Sequence, residues 1–103
     1  MFKLCFFVPE THLEPVKLAV FDAGGGRIGN YDCCAWQARG EGQFRAREGA
    51  NPFLGRLDEV EKVIEYKVEL VCSECNISEV IAAMKAAHPY EEPAYDVYRL
   101  EKL

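Results

Sequence analysis

His88-Pro89-Tyr90-Glu91-Glu92-Pro93-Ala94-Tyr95-Asp96 sets one imidazole, two phenols and three carboxylates within nine residues, framed by two prolines. Each proline disfavours helical geometry at the residue before it, so His88 and Glu92 are pushed towards extended backbone and the run is stiff. Imidazole and carboxylate together ligate divalent ions, so His88 with Glu91 or Glu92 is a candidate mixed nitrogen and oxygen metal site. A simpler reading has His88 closing a helix against its dipole, with the acids in water, and that reading is favoured. Tyr90 and Tyr95 suit a ligand or subunit contact, because a phenol joins apolar area to a polar tip.

Cys72-Ser73-Glu74-Cys75 is a CxxC placed at a strand end before a helix, a position that lowers a thiol pKa and suits redox or soft-metal chemistry. Cys72 and Cys75 are therefore candidate ligands for copper(I) or zinc, with Cys33 or His88 as helpers. Adjacent Cys33 and Cys34 point to opposite faces of a strand, so at most one can join them. Cys5, Cys34 and Cys72 fall on apolar positions, where a thiol packs as a small core residue. Gly24-Gly25-Gly26-Arg27-Ile28-Gly29-Asn30-Tyr31 is glycine-rich, but it follows a helix and precedes a strand, the reverse of a phosphate-binding loop. It reads as a helix cap and tight loop. His12 and His88 are the only imidazoles, and no nucleophile is spaced beside either as in a hydrolase, so an enzyme of unknown reaction ranks last of three readings, after a binding module and a metal-binding protein.

These groups need a scaffold. Lys3 to Val8 reads as a short apolar strand stopped by Pro9. Thr11-His12-Leu13-Glu14 matches a capping box opening a helix to about Ala23, with Leu13, Val16 and Val20 on one face. Tyr31 to Arg39 is a second strand carrying Cys34, Trp36 and Ala38 on one side. Gly40 and Gly42 mark a turn or bulge, with Gln43 to Ala46 as a returning arm and Arg47 to Gly55 as a loop. Glu61 to Cys72 alternates almost strictly, which predicts Tyr66, Val68 and Leu70 buried and Glu65, Lys67 and Glu69 in water. Asn76 caps a second helix with the stripe Ile77, Val80, Ile81, Met84 and Ala87, and Ala94 to Leu100 is the last strand.

Strand, helix, strand, strand, helix, strand is most economically an α+β, ferredoxin-like βαββαβ domain: an antiparallel sheet with both helices on one face. At 103 residues the chain is expected to be one domain, residues 1–103. Hydrophobic residues at 50% and charged residues at 28% describe a globular composition. A net charge of −5 and scattered arginines argue against nucleic acid as a partner. No apolar run approaches the ~18 residues of a membrane span. Five cysteines, an odd number without a secretion signal, point to reduced thiols and a cytoplasmic protein.

Three stretches are similar to the inserted, YqfO-like domain of the NIF-three-like proteins: Gly26 to Asp32, then Gly42 to Arg45 with Gly49 to Gly55, and His88 to Asp96. The likeness runs in the same order over nearly the whole chain. It implies a CutA/PII-like fold that self-associates, a trimer before a dimer. The two-metal site of the full-length relatives is carried by flanking segments, so the resemblance transfers no ligand. Relatives often place a His where this chain has Cys33. A free-standing, oligomeric, non-enzymatic module for a small ligand or protein partner is the expectation, with Arg27, Asn30, Tyr31, His88, Tyr90, Glu91, Glu92 and Tyr95 as ligand or interface residues. Its cofactor is unspecified, a divalent metal or copper through Cys72 and Cys75 being the alternative.

Overall fold

The computed structural model describes residues Met1–Leu103. β1 (Phe2–Pro9) leads through a single 3-10 turn, Glu10–His12, into α1 (Leu13–Asp22). β2 (Trp36–Arg45) and β3 (Val60–Cys72) form a long hairpin, followed by α2 (Ile77–Ala87) and β4 (Tyr95–Arg99). The sheet order is β2-β3-β1-β4 with every neighbouring pair antiparallel. This is the α+β, ferredoxin-like arrangement expected from the strand and helix order.

The core lies between the helices and one sheet face. Leu4, Phe6 and Val8 of β1 alternate inward beside Val68, Leu70 and Cys72 of β3, against Leu13, Val16 and Val20 of α1 and Val80 and Met84 of α2. The β3 alternation holds where β1 lies alongside: Val68 is 0% exposed and Lys67 is exposed. It fades further out. Beyond Pro9↔Glu65, residues 60–64 pair with β2 alone and Ile64 is exposed; within the span of β1, Tyr66 is only half-buried, and Glu65 and Glu69 are half-buried where water was expected. That outer half of the hairpin accounts for an elongated molecule of 46 × 25 × 23 Å.

Local signals were overridden in four places. Thr11 makes no capping box; its hydroxyl meets His12 Nδ1 at 2.8 Å, and the helix begins two residues later at Leu13. Pro15 is then the third helical residue, where no intrahelical amide partner is lost. Asn76 occupies the N-cap of α2 but its side chain bonds no amide there; the Ser73 carbonyl accepts from the amides of Asn76 and Ile77. Tyr31 to Ala35 lie outside the strand, and Cys34 is not a core residue. Finally, Gly40 and Gly42 make no turn, since β2 runs through both in unbroken register with β3. The glycine run does end α1: Gly24, at φ 109°, donates to the Phe21 carbonyl, and Gly25 donates to that of Val20, the paired bonds of a left-handed helix cap.

Candidate functional site

The site begins where α2 has to stop. Pro89 forbids helical backbone at the residue before it, and His88 accordingly turns extended at φ −75°, ψ 139°. β4 reaches β1 only as far as a bond from the Phe7 amide to the Ala94 carbonyl, at 3.2 Å. The Phe7 carbonyl points to the same side and is left without a strand partner. His88 supplies one: its Nε2 lies 2.7 Å from that oxygen, and its Nδ1 accepts the Tyr90 amide at 3.1 Å. His88 as a whole residue is 7% exposed. Burial holds its pKa below the ordinary histidine value, against the opposing pull of the Phe7 carbonyl and Glu65.

Pinned in this way, Tyr90 swings its ring over the outer hairpin. Its hydroxyl donates to Glu65 Oε2 at 2.8 Å, and its ring lies 4.9 Å from that of His88, 6.2 Å from Phe44 and 6.4 Å from Phe53. Burial and the adjacent carboxylate raise the phenol pKa well above the usual tyrosine value. Gly42 makes room for this arrangement: a Cβ there would collide with the Glu65 carboxylate. The glycine that looked like a turn is thus a notch for an acid on the neighbouring strand. Next along the chain, Glu91 Oε1 accepts the Asn51 amide at 3.2 Å, tying the turn to the loop of the hairpin. The Phe53 ring meets the His12 ring edge-on at 5.6 Å.

Between the hairpin loop and the turn opens a groove of about 910 Å³. Phe7, Phe44, Phe53 and Tyr90 supply apolar wall, and Arg45, Arg47, Glu48, Glu91 and Glu92 supply charge. Arg47 also pairs with Asp58 at 3.1 Å. Such a groove combines aromatic area with several donors and acceptors, the usual make-up of a recognition site. Its lining includes no serine, threonine, cysteine, lysine or histidine, and both nitrogens of His88 behind it are engaged by backbone.

Of the residues expected at a site, Tyr90, Glu91 and Glu92 line this groove and His88 stands behind it as its support. Tyr95 does not line it; the ring packs on the core with the Lys85 ammonium 4.9 Å from its centroid. Arg27, Asn30 and Tyr31 are exposed at the other end of the sheet. That loop is held by the Gly26 amide on the Val71 carbonyl and closed by reciprocal Ile28–Tyr31 bonds of 2.9 Å. Val71 pairs with Lys3, four residues from Phe7 along β1, on the order of 13 Å away. The glycine loop and the proline-framed turn therefore do not share a cleft within one chain.

Phe44, Phe53 and Glu65 were missed as site residues. Phe44 and Phe53 lie in the second of the three matching stretches, which was available as a signal; for Glu65 only Gly42 hinted at it.

The two cysteines proposed as metal ligands sit in different surroundings. Cys72 is buried in the core with its thiol pKa raised by burial, whereas Cys75 is exposed. No three His, Cys, Asp or Glu side chains gather anywhere as a metal site, and His88 has no free nitrogen to lend. A structural zinc ion, which takes four such ligands, has no set gathered for it here.

No family model matches the chain. Individual proteins do. It is 49% identical over 98 residues to a "GTP cyclohydrolase 1 type 2 homolog" of Mycobacterium tuberculosis, covering 95% of this chain and 26% of that protein. It is 47% identical over 100 residues to the protein of the same name from Halalkalibacterium halodurans, covering 97% and 27%. A solved Bacillus cereus protein related to NIF3 superposes with a TM-score of 0.84 at 42% identity, over 98% of this chain and 26% of that one. The chain is homologous to one segment of the NIF3-like proteins. It spans about a quarter of the length of the curated relatives it matches. Its fold is also that of CutA from Nostoc, with a TM-score of 0.69 at 18% identity over 98% of this chain and 82% of that one. The three stretches that resemble the NIF3-like segment are not equivalent in space: two of them build the groove, and the glycine loop stands apart.

Proposed function

We propose that this chain is a self-associating, non-enzymatic binding module whose recognition site is the groove between the hairpin loop and the Tyr90–Ala94 turn. The observation that carries the reading is convergence: residues 43–54 and 90–94, far apart in sequence, meet around one aromatic-walled opening. Their meeting is arranged by a buried histidine, a strand glycine and a half-buried glutamate that have no other evident work. The occupant is a small ligand or a segment of a partner protein, bound without a covalent step.

Self-association is supported by the sheet face turned away from the helices. Trp36 is 60% and Tyr98 54% exposed, and the strand register puts both on that uncovered face. A second copy packed there would take both rings out of water. Light scattering on protein eluting from a sizing column is expected to give a mass about three times 11.6 kDa, or twice that value if pairs form instead. A mass of one chain at micromolar concentration would remove the assembly from the proposal. The groove itself is tested by where bound small molecules perturb the backbone, as set out at the end of the Discussion.

A further inference from the structure

A neutral imidazole has one donor and one acceptor, and His88 uses both on backbone groups that cannot exchange roles. The Phe7 carbonyl only accepts, so Nε2 carries the hydrogen; the Tyr90 amide only donates, so Nδ1 must stay bare. Protonation at Nδ1 would set two donors face to face at the 3.1 Å contact, and the imidazolium cannot keep both bonds. We propose that His88 is an acid-sensitive latch on the groove: a proton taken up from solvent at Nδ1 frees the Tyr90 amide and loosens the wall that Tyr90 and Glu91 form.

The consequence reaches the groove because little else holds that wall. Beyond His88, the far end of the turn is tied to β1 by the Phe7 amide on the Ala94 carbonyl, and the Tyr90–Glu91 end by the Tyr90 hydroxyl to Glu65 and by Glu91 to the Asn51 amide. The last two are single side-chain contacts to the hairpin, and they alone hold Tyr90 and Glu91 once the latch opens. The ionisable surroundings leave the neutral form in place at neutral pH. From β3, Glu65 favours the imidazolium; from the turn after β1, His12 opposes it; desolvation opposes it most. On the turn itself stand Tyr90, Glu91 and Glu92, and in the last turn of α2 Lys85 lies over Tyr95. The importance of the latch for binding rests on the groove being the recognition site, but its operation does not.

Amide exchange on the whole ¹⁵N-labelled chain, from about pH 8 down through the pH at which the His88 nitrogens report protonation, tests it without any ligand. A His12→Asn variant leaves one imidazole, so that its nitrogen signals report His88 alone. The expected result is the Nε2–H tautomer at the alkaline end, then a loss of Tyr90 protection of roughly tenfold as His88 charges, the equivalent of one hydrogen bond. Leu4 and Val68 should stay protected throughout. In His88→Gln, whose side chain does not titrate, Tyr90 protection should be independent of pH. Tyr90 protection unchanged through His88 protonation would overturn the proposal, and so would its loss in step with Val68. A stable His88→Gln variant that kept the transition would do the same; if that variant fails to fold, the contrast between Tyr90 and Val68 in the parent chain still decides. Failure here leaves the binding reading standing, since no ligand enters the measurement.

Discussion

A Val68→Asp chain is expected to be unfolded at 25 °C, with no cooperative transition in urea. Val68 is fully buried at the middle of β3, paired with Phe6 on one side and Gln37 on the other. Its inward neighbours are Leu4, Phe6, Val8 and the apolar faces of both helices, and the core cluster contains no basic side chain. A carboxylate there either stays charged without a partner or takes up a proton and still lacks one. The cost is at least about 4 kcal/mol, against a total stability of ~5–15 kcal/mol for a small domain. Lys67→Gln, one residue away on the other face, is exposed and should change stability by less than about 1 kcal/mol. Circular dichroism and urea titration of the two variants decide the matter. A well-folded Val68→Asp chain would mean that the faces of β3 are reversed.

His88→Ala is expected to lower stability by ~2–4 kcal/mol, because it opens a cavity and leaves the Phe7 carbonyl and the Tyr90 amide without partners. The loss carries a pH signature. The folded-state pKa of His88 lies below the ordinary value of 6.5, so its contribution is complete above that pH. It declines as pH falls below about 6.5 towards the folded pKa, at no more than about 1.4 kcal/mol per unit. The parent chain should therefore weaken in this window, while His88→Ala lacks that slope and the gap between them narrows. A gap that stays constant or widens on acidification would contradict the neutral, doubly bonded imidazole.

The fold was legible because its signals are local and repeated. The alternation Tyr66–Val68–Leu70–Cys72 and the stripe Val80–Met84 each state a period and a buried face, and two helices with four strands leave few ways to close. The site was only half legible. The proline-framed turn announced itself by composition, but its partners did not. Gly42 reads locally as a breaker, and its reason is Glu65, 23 positions away on the next strand. His88 reads as a ligand or a helix cap, and its reason is a carbonyl in β1 that β4 is too short to reach. Thr11 matches a capping box in which the helix start is displaced by a 3-10 turn. Cys72 and Cys75 satisfy a spacing rule, yet a strand end sends one inward and the following turn leaves the other in water. For Gly42, His88 and Thr11, a short-range pattern was correct chemistry in the wrong company.

The claim that the groove is where this chain meets other molecules is tested most directly by amide chemical-shift mapping with a library of water-soluble fragments. The account predicts that fragments which bind will shift Phe44, Phe53 and Tyr90 together, and that Arg27 to Tyr31, at the far end of the sheet, will stay still. Binders that shift the glycine loop and leave those three aromatic residues unmoved would contradict it.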